Sequence, residues 1–376
     1  MSLPDWKTIR WNFDGHQGSI PTDLSRYVAM LVEGNLDERE DARDLFFQWP
    51  VESARYIGQL GAIPSFLSVL FGVIDEEKTD TARNIELASS FIWRLDDYQT
   101  LTEFYDGTID RFRSAVLKAI TDGCDLVGKR VLHPDSQVRR EAIRFFDHGQ
   151  QVQELRDEFR QKANGFVQEI LVNDDDPECI ACTIQYLVPQ DLLPVEQLDR
   201  LKNATAWQVQ VSVAWAICKS GGINFDSESV QTLSKFSLLG DYPLKDVSHQ
   251  VKNLGHAEKC NLVKTATDLL KDLGPRAQIE RATYLLGLVD SFDDEVSRWA
   301  YREVFDEAFR DVETTADLAN GKSTLQQSWI RRLTSDDRVW RGANSSLWER
   351  LLSGIGLPTD RQSLRTYIDD IEFDEN

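Results

Sequence analysis

The chain has 376 residues, 41% hydrophobic, 10% aromatic and 28% charged, which supports a packed core and excludes wholesale disorder. Its 42 Lys and Arg stand against 63 Asp and Glu, a net charge of -21. That balance opposes a nucleic-acid backbone as the main partner, because phosphate contacts need clustered cations. Five cysteines are too few, and odd in number, for a disulfide scaffold.

Taken in chain order, the pattern is helical throughout. Asp5, Lys7 and Arg10 interrupt Met1 to Trp11, so no export signal is expected there. Ala42, Leu45, Phe46 and Trp49 form a first apolar stripe at helical spacing. The apolar stretch from Ala62 to Ile74 falls short of the ~20 residues that a membrane span needs. Between Ser136 and Phe146, Val138, Ala142, Phe145 and Phe146 share one face; Ile180, Ile184 and Leu187 repeat the spacing. So do Val209, Val213 and Ala216, and later Val296, Ala300, Val304 and Ala308. Gly and Pro punctuate these stretches, and neither Asp14-Gly15 nor Asp106-Gly107 lies between alternating runs that would make a hairpin. The expected class is all-α.

Several helices are expected to open on acids: Asp135 before Val138, Asp174 to Asp176 before Ile180, and Asp293 to Glu295 before Val296. Taking one small or apolar residue per stripe as anchor gives Ala42, Ala88, Ala142, Ile184, Val213, Ala257 and Ala300. Their spacings of 46, 54, 42, 29, 44 and 43 residues mostly approach the ~40–47 of two-helix solenoid repeats. The segment Asp135-Ser-Gln-Val138-Arg139-Arg140-Glu-Ala142 resembles the Asp-x-x-Val-Arg-x-x-Ala opening of HEAT repeats. Gly15 to Pro21 and Gly61-Ala62-Ile63-Pro64 resemble elements of bacterial HEAT-like proteins, some of them linked to toxin immunity. The similarity covers residues 6 to 74 well, 133 to 187 moderately, and the remainder by periodicity. It implies a right-handed α-solenoid of degenerate two-helix HEAT-like repeats over residues 1–310, with an N-terminal part at 1–74 and middle repeats at 80–310. Residues 311–376 are expected to form a helical cap with an acidic tail.

Each candidate for chemistry has a plainer structural explanation beside it. Ala316-Asp-Leu-Ala-Asn-Gly321-Lys322-Ser323 loosely matches a phosphate loop, but it follows a helical stretch and has one Gly, so a helix-joining loop is expected. Cys179 and Cys182 have redox or metal spacing, yet Asp174 to Asp176 oppose a thiolate and no second pair completes a zinc site. His249, His256 and Cys260 would need one continuous helix, which Gly255 interrupts. His133 reads as a helix-boundary residue and His148 as a surface residue. No catalytic group, cofactor or metal is therefore expected.

Trp93, Trp207, Trp215 and Trp299 read as core between repeats, whereas Trp329, Trp340 and Trp348 alternate with Arg331, Arg332, Arg338, Arg341 and Arg350. That C-terminal mixture fits either a capping core or a binding hot spot, with core preferred. The tail from Asp369 to Glu375 is expected to be unstructured. The acids nominated for partner binding are Asp174, Asp175, Asp176, Asp293, Asp294 and Glu295, on the expectation that scattered carboxylates of a solenoid sum to one field.

The function expected is non-enzymatic: a cytoplasmic module that binds a basic protein, with neither membrane nor nucleic acid as partner. The resemblance makes a bacterial immunity protein neutralising a basic toxin domain its most specific form. A scaffold for a multiprotein assembly and a HEAT-fold, lyase-like enzyme are the alternatives, and oligomeric state stays open.

Overall fold

Apolar stripes at helical spacing, separated by Gly, Pro and acidic caps, leave the chain one way to bury its core: helix against helix. The computed structural model describes residues 24–53, 63–76, 80–93, 95, 108–187, 201–220, 227–244, 251, 253–310, 324–341 and 345–374. Among these there is no strand, so the protein is all-α. The chain divides into two compact units, Met1–Leu193 and Pro194–Asn376.

In the first unit the described helices are α1 (Leu24–Glu33), α2 (Leu36–Ser53), α3 (Ile63–Asp75) and α4 (Thr81–Trp93), then α5 (Thr108–Gly128), α6 (Ser136–Gln151), α7 (Arg156–Asn173) and α8 (Pro177–Leu187). Most pack on a sequence neighbour and also on the helix two places further along. Two rows result: α3, α5 and α7 in one, and α2, α4, α6 and α8 in the other. This is solenoid-like stacking within the unit. The anchors Ala42, Ala88, Ala142 and Ile184 all fall in the second row, one per helix, and all are fully buried.

Two glycines let aromatic rings lie directly on helix backbone. A Cβ at Gly123 of α5 would stand 2.2 Å from the Phe71 ring of α3. One at Gly149 of α6 would stand 1.9 Å from Phe159 of α7, which sits in a cluster with Phe145 and Phe146.

Buried arginines tie the elements of this unit together. Arg43 of α2 pairs with Asp80 at 3.0 Å, and Arg130 donates to the Asp75 carbonyl at 2.9 Å. Arg113 bridges the Leu95 carbonyl and the Glu154 carboxylate, both at 2.7 Å. Arg139 of α6 grips Asp174, beyond the end of α7, with two hydrogen bonds.

The second unit holds α9 (Trp207–Ser220), α10 (Ser227–Ser237), α11 (His256–Asp272), α12 (Pro275–Leu288) and α13 (Asp294–Ala308), then α14 (Thr324–Ser335), α15 (Ser345–Gly354) and α16 (Arg361–Asp374). Here α10, α12, α14 and α16 pack in succession. One continuous core joins Leu285, Tyr301, Trp329, Trp348 and Leu364, so the helices after residue 310 share their interior with α12 and α13. Trp329 donates its indole N–H to the Tyr301 carbonyl at 2.8 Å, which satisfies a polar group that burial would otherwise strand.

Four expectations require correction. Trp93 and Trp299 are 62% and 65% exposed, because apolar neighbours in sequence do not place a side chain on the buried face. Trp215 is buried as expected, its indole N–H donating to Asp272 at 2.8 Å. Ala257 is exposed, and α11 is buried through Leu262, Ala266 and Leu270 instead. His148 is half-buried, not a surface residue, and its pKa is held below the ordinary value by burial and then by Arg144. The tail from Asp369 is helical as far as Asp374, since Leu364 and Ile368 anchor α16 to the core and Asp360 caps its first turn.

The glycine contacts predict a clear sign difference. Gly149→Ala should destabilise the chain by ~1–3 kcal/mol through overpacking. Gly165→Ala, on an open face of α7, should stabilise it by ~0.5–1 kcal/mol. Urea denaturation of both variants checks this, and equal effects would contradict the packing described.

Candidate functional site

The first acidic triplet does two different jobs in three residues. Asp174 has a side chain 4% exposed, and Arg139 binds both of its oxygens, at 2.8 and 2.9 Å. The remaining guanidinium nitrogen of Arg139 donates to the His133 and Pro134 carbonyls, each at 2.9 Å. Asp176 accepts the backbone N–H of Glu178 at 2.7 Å and of Cys179 at 3.2 Å, capping α8. Asp175 alone points outward, 99% exposed, with its nearest cation, Arg139 at 3.5 Å, already engaged by Asp174.

The second triplet divides in the same way. Asp293 accepts the N–H groups of Glu295 and Val296, at 3.1 and 2.9 Å, and caps α13. Asp294 and Glu295 are exposed. Three nominated acids are thus committed to local structure, and Asp175, Asp294 and Glu295 remain outward. The triplets belong to different units.

Beside Asp175 lies a cleft of about 280 Å³ that the acidic pattern did not single out. The turn between α5 and α6 supplies Leu132 and Pro134, α7 supplies Glu169 and Ile170, and the Arg139–Asp174 pair closes one side. Leu132 is 48% exposed, and Val172, one turn beyond Glu169, is 68% exposed. Both sit off the buried faces of their segments: α7 buries Phe159, Ala163, Phe166, Val167, Ile170 and Leu171, a stripe that excludes Val172. That exclusion is the sequence signal for this surface. Arg139 and Asp174 cancel, so Glu169 and Asp175 give the cleft its negative sign.

The second unit has a separate cleft of about 340 Å³ between α9 and α10, where Lys202 and Lys235 face the same space as Glu228. Its charges are mixed.

Of the cysteine and histidine candidates, Cys179 and Cys182 are packed against their neighbours. Burial, reinforced by Asp174 and Asp176, pushes the Cys179 thiol up to about 12, and burial also raises Cys182. His256 and Cys260 are 3.7 Å apart on the exposed start of α11, while His249 lies outside the described residues. Among the described residues no group of three or more side chains has the makings of a metal site. The segment Ala316 to Ser323 lies outside the described residues, and α13 leads towards it as helix.

No protein-family model matches the chain, and no curated protein matches it. Several solved structures align with it, among them two crystal structures each described as an engineered protein of the Northeast Structural Genomics Consortium. One is 14% identical and covers 92% of this chain and 98% of its own length, with a TM-score of 0.30. The other is also 14% identical and covers 93% and 96%, with a TM-score of 0.26. Likeness at that level carries no argument, and the chain's own residues must carry the function.

One titration bears on stability and not on the cleft. Burial raises Asp147 of α6 to about 6, partly offset by the Gln151 amide donating to it at 2.9 Å. A carboxyl whose folded pKa is raised stabilises the fold at low pH, and that contribution is lost as pH climbs through about 6. Asp147→Asn should therefore raise stability at pH 7, by up to about 3 kcal/mol, and flatten the profile between pH ~4 and ~6. Thermal denaturation of wild type and variant across that range checks the sign, and a variant whose gain over wild type does not grow with pH there would contradict it.

Proposed function

We propose that this protein is a non-enzymatic helical-repeat binding module that takes a basic protein as partner. The observation that supports it best is the division of labour among the acids. Capping and the Arg139 pair consume Asp174, Asp176 and Asp293, while Asp175 projects fully into solvent beside Glu169 and exposed apolar residues. A surface that combines exposed carboxylates with exposed Leu132 and Val172 favours a cationic partner with apolar contacts. The net charge of -21 adds a long-range field of the same sign, which speeds encounter.

Stacked helix pairs support this role because they present turns in series along an edge. Among the described residues no helix is long and apolar enough to cross a membrane, and we place the module in the cytoplasm. The N-terminal resemblance extends the proposal to an immunity protein whose basic partner is a toxin domain.

Affinity capture from the source lysate at ~0.1 M and ~0.5 M salt, read by mass spectrometry, tests the reading. The expected result is one basic protein near one-to-one at low salt, reduced at high salt. Recovery of acidic or neutral proteins only, or of nothing at either salt, would overturn it.

A further inference from the structure

We infer that the cleft between the α5–α6 turn and α7 is the seat of a single arginine side chain of the partner, an inference that rests on the binding-module reading. Size comes first. At about 280 Å³ the cleft is small, with room for one long side chain.

Its walls match the two halves of such a side chain. The exposed Leu132 and Pro134 give apolar surface for a methylene stem. Glu169 and Asp175 supply carboxylates from two different elements, α7 and the turn after it. A planar guanidinium has five donors and engages two separate carboxylates while keeping its geometry, whereas an ammonium is a point charge.

The closed side of the cleft excludes the opposite ligand. All the hydrogen-bonding nitrogens of Arg139 are occupied, by Asp174 and by two backbone carbonyls. Asp175 stands 3.5 Å from the nitrogen that also binds Asp174, so an anion approaching that arginine would meet two carboxylates, Asp175 and Glu169. The cation of the site is therefore structural, and the cation it accepts comes from outside.

The test uses the full chain and three fluorescein-labelled nonapeptides of Gly, Ser and Leu, with a central Arg, Lys or citrulline. Citrulline keeps the shape and removes the charge. Fluorescence anisotropy at ~0.05 M salt should show the Arg peptide binding about tenfold tighter than the citrulline peptide, with Lys between them. Glu169→Gln with Asp175→Asn should abolish that preference, and both positions are surface carboxylates whose loss leaves helicity intact. Leu132→Ser should weaken all three peptides. Asp294→Asn with Glu295→Gln, in the other unit, should leave the preference unchanged.

Equal binding of the Arg and citrulline peptides, or a preference that survives the Glu169 and Asp175 substitutions, would overturn the inference. The same double variant, run in the lysate capture, separates the two claims. Undiminished recovery of a basic partner would remove the cleft and keep the binding module. Failure of the wild type itself to retain a basic protein would remove both.

Discussion

The bidentate pair between Arg139 and Asp174 is the constraint on which this edge of the first unit depends. A guanidinium this deep in the protein is tolerable only when its donors are engaged, and here four hydrogen bonds reach all three of its nitrogens, with Asp175 3.5 Å from one of them. The same side chain fixes the turn before α6 through the carbonyls of His133 and Pro134 and the turn after α7 through Asp174. It thereby sets the walls of the cleft and leaves Asp175 facing outward. Arg43 and Arg130 make comparable ties within the first unit. In the second, Arg281 reaches Ser237 and Glu303, and Arg338 reaches Asp336 and the Phe292 carbonyl.

Much of the fold was legible because helical periodicity and acidic caps are local signals. Ala42, Ala88, Ala142 and Ile184 mark one row of helices without any knowledge of contacts, and the Asp135 and Asp293 caps behave as their positions imply. What was not legible depended on which face meets a neighbour. Trp93 and Trp299 look like core in sequence and stand exposed, while Ala257 marks the right helix on the wrong side. The division at Leu193 and Pro194 left no signal stronger than the prolines that punctuate the whole chain.

The site shows the same limit more sharply. Asp174, Asp175 and Asp176 are chemically alike and adjacent, so their sequence reads as one patch. Their fates diverge because Arg139 lies 35 residues away in sequence and selects only the first for burial. Glu169 and Leu132 attracted no attention as lone residues, and only the apposition of α7 with the α5–α6 turn makes a cleft of them. The electrostatic argument narrows accordingly. A net charge summed over the chain describes approach, whereas affinity depends on the few carboxylates that the fold leaves exposed.

The most direct test of this account compares two neighbouring substitutions, Asp174→Asn and Asp175→Asn, by urea denaturation of the full chain. Asp174→Asn should cost ~3–5 kcal/mol, because it leaves Arg139 buried without its counter-charge. Asp175→Asn should change stability by less than ~0.5 kcal/mol. Equal losses at the two positions, or no loss at Asp174, would contradict the claim that one acid of the pair holds the fold and the other is left for the partner.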